Sequence, residues 1–192
     1  MRLFIAIQLD EAAKEYLSSV QDQFRESNVR GSYTPEENLH LTLAFIGDYP
    51  DPDKVMDALE SVWDGPFEIT FSGVGRFDDL WWIGIQDNEA LNQLVKRVRH
   101  SLSEAGIPYD KKRFKPHITL LRRADFSKGR PVDFDKLRHA DYSKPRRADF
   151  AKGFPGQIVT EPRTMKVSGI SLMRSTQGKH GMIYSEMGYV SE

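Results

Sequence analysis

Two apolar runs of strand character each carry the pattern His-x-Thr, and this duplication constrains the chain more than any other feature. The runs are LHLTLAFIG over Leu39–Gly47 and PHITLLR over Pro116–Arg122. Because successive strand residues face opposite sides, each histidine shares a face with the threonine two positions later, about 7 Å along the strand. The opposite, apolar face is predicted to hold Leu39, Leu41, Leu43 and Phe45 in the first run, and Ile118 and Leu120 in the second.

The paired motifs suit acid–base chemistry on a small anion. An unperturbed imidazole titrates near pH 6.5 or so, and therefore one of His40 and His117 can accept a proton while the other donates one. Thr42 and Thr119 can donate hydrogen bonds to the anion's oxygens. A single His-x-Thr is typical of an ordinary strand with a satisfied histidine, but two copies in matching apolar contexts favour a shared site.

Several segments resemble one known family. ENLHLTLAFIGD and FKPHITLLR resemble the two signatures of the two-histidine (2H) phosphoesterases, and in particular the RNA 2′,3′-cyclic phosphodiesterases of bacteria and archaea, once described as 2′–5′ RNA ligases. MRLFIAIQLD, LWWIGI and ISLMRS…GMIYSE are also similar to that subfamily. The resemblance covers most of the chain except roughly 123–160.

The resemblance implies two similar lobes around a central cleft and the hydrolysis of RNA 2′,3′-cyclic phosphate ends to 2′-phosphomonoesters. It implies that His117 takes a proton from water and that His40 donates one to the departing 3′ oxygen, although spacing alone leaves the two roles exchangeable. Thr42 and Thr119 would hold phosphoryl oxygens. Arg122 matches a family arginine that could neutralise phosphate charge.

The order of the other patterns predicts the fold class. Strand and helix patterns follow one another as β-α-β-α-β-β-α-β, then an irregular region, then two closing strands at Lys166–Met173 and Met182–Val190. Regular βαβ alternation is missing, which favours an α+β fold with antiparallel sheets. We expect one two-lobed domain over residues 1–192, with a basic, irregular insertion at about 123–160.

The amino-acid composition and the missing motifs exclude several kinds of catalytic site and favour a cytoplasmic protein. The chain has no cysteine, which excludes disulfides, a cysteine nucleophile and thiolate metal sites and fits a reducing cytoplasm. No apolar run approaches the ~20 residues of a membrane helix, and no phosphate loop or nucleophile elbow occurs. The histidines lack nearby metal-ligating partners, so the sequence favours catalysis without a metal or cofactor. A cytoplasmic monomer without a membrane partner is expected.

Charge is distributed unevenly along the chain. Lys111–Lys152 holds 14 Lys and Arg against 5 Asp and Glu, whereas the whole chain has a net charge of −1. Such a basic segment can attract RNA, and it can equally be a solvated surface loop. Tyr33, just upstream of the first motif, is a further candidate for the wall of a ligand pocket.

Other functions stay open from the residues alone. They are a phosphodiesterase for small cyclic nucleotides or 2′–5′ linked oligonucleotides, an inactive RNA-binding module, and a structural domain in which the motifs coincide by chance. Turnover of an RNA 2′,3′-cyclic phosphate distinguishes an enzyme from an inactive RNA-binding module and from a structural domain.

Overall fold

The computed structural model describes residues 1–127, 158, 160–179 and 181–191, and the elements below belong to that part of the chain. Its helices are α1 (Glu11–Glu26), α2 (Pro52–Leu59) and α3 (Glu89–Glu104). Its strands are β1 (Arg2–Gln8), β2 (Arg30–Tyr33), β3 (His40–Asp48), β4 (Phe67–Phe77), β5 (Leu80–Ile85), β6 (His117–Asp125), β7 (Arg163–Val167), β8 (Ile170–Gly178) and β9 (Gly181–Val190).

The strands form two antiparallel sheets, which confirms the predicted α+β class. The first sheet has the order β3-β1-β8-β9 and the second has the order β2-β6-β5-β4-β7. One His-x-Thr motif lies on β3 and the other on β6, so each sheet supplies one motif, as expected for two lobes.

The helices cover the faces of the sheets opposite the histidines, and aspartate side chains cap the starts of α1 and α2. Asp10 and Asp51 accept hydrogen bonds from backbone N–H groups in the first turns of α1 and α2. Helix α1 packs Phe24 against Trp81 of the second sheet, while α3 contacts β3 of the first. Among the described residues, no helix is long and apolar enough to cross a membrane.

Each motif strand contains a β-bulge three residues after its histidine. In β3 the extra residue is Leu43, because Ile5 pairs with Ala44 whereas Ala6 pairs with Thr42. In β6 the same irregularity falls at Leu120, since Trp81 pairs with Leu121 and Trp82 pairs with Thr119. The two sheets therefore repeat one local distortion at the same distance from the histidine.

The bulges decide which later side chains share a face with the histidines. One extra residue shifts the strand alternation by one, so the fifth residue after each histidine returns to the histidine's face. That residue is Phe45 in β3 and Arg122 in β6. The prediction that Phe45 lies on the apolar face with Leu43 was wrong: Phe45 packs against a small cluster of Phe4, Ala6 and Met173 that is separate from the main core.

Two further strand predictions need correction. The stretch Lys166–Met173 is not one strand, because β7 ends at Val167 in the second sheet and β8 begins at Ile170 in the first. Between them the ring of Tyr189 occupies the space that a Cβ on Gly169 would need. The short strand β2 was not predicted at all.

The first residues assigned to the predicted insertion at about 123–160 belong to a strand, because β6 continues to Asp125. The segment 128–157 lies outside the described residues, as do Val159, His180 and Glu192.

Trp82 and Gly75 provide a test of the second sheet's packing. A Cβ on Gly75 would overlap the Trp82 ring, so we expect Gly75→Ala to lower the free energy of unfolding by about 1–3 kcal/mol. In a Trp82→Leu background the same change should cost less than about 0.5 kcal/mol, because the overlapping ring is gone. Urea unfolding of the four proteins measures this coupling, and equal costs in both backgrounds would contradict the packing.

Candidate active site

The two motif strands meet although they belong to different sheets. Strand β3 contacts β6, and His117 and Arg122 lie close enough to His40 that their positive charges act on its pKa. Arg122 acts in the same way on the pKa of His117. Both histidines and this arginine therefore lie near one another between the two sheets, in a region that we call the cleft.

Backbone carbonyls fix the orientation of both imidazoles. Nδ1 of His40 lies 2.7 Å from the carbonyl oxygen of Asn38, and Nδ1 of His117 lies 2.6 Å from that of Lys115. A carbonyl oxygen only accepts hydrogen bonds, so Nδ1 carries the hydrogen in each ring. In the neutral form Nε2 is then the basic nitrogen of both histidines.

Thr42 and Thr119 occupy corresponding positions with different hydrogen bonds. Oγ1 of Thr42 lies 3.0 Å from Nε2 of His40, and it donates to that nitrogen when the ring is neutral. Within the described residues the structure shows no such bond between Thr119 and His117. Both threonines are half-buried on the histidine faces of their strands.

Aromatic rings flank each histidine. The His40 ring packs against Phe4 at 4.9 Å and edge-on against Tyr184 at 5.1 Å between centroids. The His117 ring meets Phe77 edge-on at 5.1 Å and lies 6.1 Å from Trp82. These contacts hold the imidazoles in place and exclude water from part of their surface.

The surroundings favour the neutral form of both histidines. Burial is the main cause that lowers the pKa of His40, with smaller contributions from the charges of Arg122 and His117 and an opposing one from the Asn38 carbonyl. Burial also lowers the pKa of His117 most, assisted by Arg122 and Lys115 and opposed by the Lys115 carbonyl. The same positive charges attract an anion, and a bound anion beside the rings would favour their protonation.

Arg122 reaches the site only because of the bulge. It is an odd number of residues from His117, so regular alternation would place it on the core side of β6, where Leu121 lies fully buried. The pairing of Leu121 with Trp81 uses the core side, which leaves Arg122 on the cleft side. The structure thus brings Arg122 together with the four motif residues.

Tyr33 does not join them. It pairs with the buried Leu121, its hydroxyl donates to the carbonyl of Val29 at 2.8 Å, and Arg25 covers its ring at 4.2 Å. Burial raises its pKa to about 12, so the hydroxyl stays protonated. These contacts put Tyr33 on the α1 side of the second sheet, opposite the cleft.

Sequence reasoning missed the groups that support the histidines. The carbonyls of Asn38 and Lys115 leave no signal, since every residue carries a carbonyl. Phe4, Phe77 and Tyr184 lie far apart in the chain and meet the rings only through the sheet registers. Of the two tryptophans in β5, Trp81 lies in the core and Trp82 is half-buried on the opposite face.

Metal-ligating side chains do not cluster in the described part of the chain. It contains no group of three or more His, Cys, Asp or Glu side chains placed to hold a metal ion. Two surface depressions, one around Arg25–Arg30 and one around Trp63 and Lys166, include neither histidine in their walls.

The family model described as the 2′-5′ RNA ligase superfamily matches residues 10–179. The chain belongs to this superfamily. The match runs through both His-x-Thr motifs and confirms the family expected from the sequence.

Superfamily members from bacteria and archaea align with the chain under the name RNA 2′,3′-cyclic phosphodiesterase. The Archaeoglobus fulgidus protein is 34% identical over 64% of this chain and 72% of its own length. The Methanothermobacter thermautotrophicus protein is 27% identical over 97% of this chain and 96% of its own. The Geobacillus stearothermophilus protein is 32% identical over 62% of this chain, and the matched region spans only 41% of that relative's length.

Solved structures share the two-lobed fold. TT0787 of Thermus thermophilus matches with a TM-score of 0.74 and 26% identity, over 100% of this chain and 97% of its own. E. coli LigT complexed with 3′-AMP matches with a TM-score of 0.72 and 21% identity, over 99% and 96% of the two chains. At that identity the second likeness concerns the fold alone.

The position of Arg122 predicts a coupled change at both histidines. Arg122→Gln removes a positive charge that disfavours imidazolium, so the pKa of His40 and that of His117 should both rise. NMR titration of the histidine ring protons measures both values in one protein. The matched control is Arg123→Gln, which removes a neighbouring charge that bonds to Ser32 instead. Unchanged values in the Arg122 variant, or equal shifts in the control, would contradict this geometry.

Proposed function

We propose that this protein hydrolyses the 2′,3′-cyclic phosphate ends of RNA to 2′-phosphomonoesters, without a metal, with His40 and His117 as the acid–base pair. The observation that carries the proposal is the convergence of two imidazoles, each held through Nδ1 by a carbonyl, on one cleft beside Arg122. The names of the superfamily relatives support the same substrate class.

The proposed reaction moves one proton at each histidine. Nε2 of His117 accepts a proton from water as the water oxygen attacks phosphorus. The bond from phosphorus to the 3′ oxygen breaks, and protonated His40 donates from Nε2 to that oxygen. The phosphate stays on the 2′ oxygen, and proton exchange with solvent restores both rings. The family resemblance gives His117 as the base and His40 as the acid, and the geometry is equally compatible with the opposite roles.

The remaining groups stabilise charge on the phosphoryl oxygens. Arg122 supplies a permanent positive charge beside both histidines. Protonation of His40 also changes the role of Thr42: a protonated Nε2 no longer accepts the threonine hydrogen, which is then free for a phosphoryl oxygen while the Nε2 hydrogen goes to the departing 3′ oxygen. Thr119 is proposed to donate to a second oxygen from the opposite lobe.

Removal of either imidazole tests the pair directly. His40→Ala and His117→Ala should each lower kcat by about 10²–10⁴-fold on an RNA 2′,3′-cyclic phosphate, because each removes a general acid or base. Assays with a chelator present test metal independence at the same time. His100→Ala, at an exposed position of α3, is the matched control. Wild-type turnover in either site variant, or restoration by added metal, would overturn the proposal.

The pH dependence should be bell-shaped, because one histidine must be neutral and the other protonated. In the free protein the pKa of each histidine is lowered, so protonation of the acid is lost as pH rises past that lowered value. A bound phosphodiester anion favours imidazolium, and the alkaline limb of kcat should therefore lie at higher pH than that of kcat/KM. Rates of the chemical step across pH measure both limbs as properties of the coupled pair. A flat profile would exclude two-histidine catalysis.

Longer RNA is proposed to contact the basic segment. Its described part places Lys111 and Arg113, both exposed, just before β6. Lys111→Gln with Arg113→Gln should reduce the log–log salt slope of RNA binding by about 1.4, at roughly 0.7 per phosphate contact. The double variant Lys54→Gln with Lys96→Gln, on helices α2 and α3, is the control. Equal slopes in both variants would leave the segment as a solvated surface.

A further inference from the structure

Three polar side chains extend across the cleft face of the first sheet, away from Arg122. Gln8 pairs directly with His40 across β1 and β3. Ser171 pairs with Ala6, which itself pairs with Thr42, and so Ser171 lies on the same face. The third is Glu186 on β9. Gln8 and Glu186 are exposed, whereas Ser171 is fully buried.

The hydrogen bonds fix the orientation of the Gln8 amide. Its Nε2 donates to Oγ of Ser171 at 2.9 Å and to Oε2 of Glu186, and the Ser171 hydroxyl donates to the same carboxylate oxygen at 2.7 Å. A carboxylate only accepts, so the nitrogen of Gln8 must face it. Both N–H groups of the amide are thereby used inside the network.

What remains free are hydrogen-bond acceptors. Oε1 of Gln8 and Oε1 of Glu186 receive no hydrogen bond within the described residues, and both side chains are exposed. This surface would repel a phosphate oxygen and would bind O–H or N–H donors. It therefore complements the cationic part of the cleft around Arg122.

We propose that Gln8, Ser171 and Glu186 form a nucleoside subsite beside His40, which accepts hydrogen bonds from a ribose hydroxyl or a base N–H of the nucleoside that carries the phosphate. The assumption that the group bound beside the histidines is this phosphate rests on the proposed function. Gln8 and Glu186 contact the nucleoside, while Ser171 positions them. The register places Gln8 one strand from His40, within about 5.5 Å between Cα atoms, so a sugar attached to the bound phosphate reaches it.

Binding of two probes tests the subsite without turnover. Titration calorimetry compares inorganic phosphate with adenosine 2′-monophosphate on the wild type, Gln8→Leu and Glu186→Gln. In Glu186→Gln the new amide can donate to Oε1 of Gln8, so the Gln8 amide can turn and present N–H to the cleft. We expect both variants to bind the nucleotide roughly 3- to 10-fold more weakly, with phosphate affinity unchanged.

Two further variants sharpen the test. In Gln8→Glu with Glu186→Gln the carboxylate and the amide exchange places, which restores an acceptor beside His40 and should restore the preference for nucleotide over phosphate. Glu68→Gln, at an exposed position of β4 in the other sheet, should change neither probe. Thermal unfolding checks that each variant is folded.

A ligand without a base shows whether the hydrogen-bond donor is a ribose hydroxyl or a base N–H. If the Glu186→Gln loss persists for 1,4-anhydroribitol 2-phosphate, which lacks a base, the donor is a ribose hydroxyl; if the loss disappears, the donor is a base N–H. Equal losses for phosphate and nucleotide, or no loss for either, would overturn the subsite. Failure of the wild type to hydrolyse a cyclic phosphate would instead overturn the proposed function and leave this binding result standing.

Discussion

The carbonyl group two residues before each histidine is the contact on which the site depends. The carbonyl oxygen of Asn38 accepts a hydrogen bond from Nδ1–H of His40, and that of Lys115 accepts one from Nδ1–H of His117. With Nδ1 occupied, only Nε2 remains for proton transfer, and the same strand that supplies the threonine also fixes the ring. One hydrogen bond to a backbone carbonyl, present once in each sheet, thus leaves Nε2 of each histidine as the atom that can accept or donate a proton.

Both lobes contain this hydrogen bond, but they differ at the fifth residue after the histidine, which lies on the same face of its sheet. After matching bulges, the second sheet presents Arg122 and the first presents Phe45, whose ring is covered by Arg2 at 5.0 Å. At this position the second lobe therefore carries a fixed charge that suits a phosphate, while the first carries an apolar ring and, further across its sheet, the acceptors of Gln8 and Glu186. Such an asymmetric cleft fits a ligand with an anionic end and a neutral end.

Much of the fold and the centre of the site could be predicted from the sequence, because both depend on local patterns. Strand alternation placed His40 on one face with Thr42, and His117 on one face with Thr119. The bulges could not be predicted, since Leu43 and Ala44 are both apolar and fit an unbroken strand. The break at Gly169, where the chain passes from one sheet to the other, was not predicted either, because it depends on which distant strands β7 and β8 pair with.

The most direct test of the paired site is the product formed from an RNA oligonucleotide that ends in a 2′,3′-cyclic phosphate, incubated with the purified protein and a chelator. Phosphorus NMR distinguishes the 2′- from the 3′-phosphomonoester. We expect complete conversion to the 2′-phosphomonoester, because proton donation to the 3′ oxygen leaves phosphate on the 2′ oxygen. An unchanged cyclic end, or a 3′-phosphomonoester product, would contradict the proposed acid–base pair and its direction.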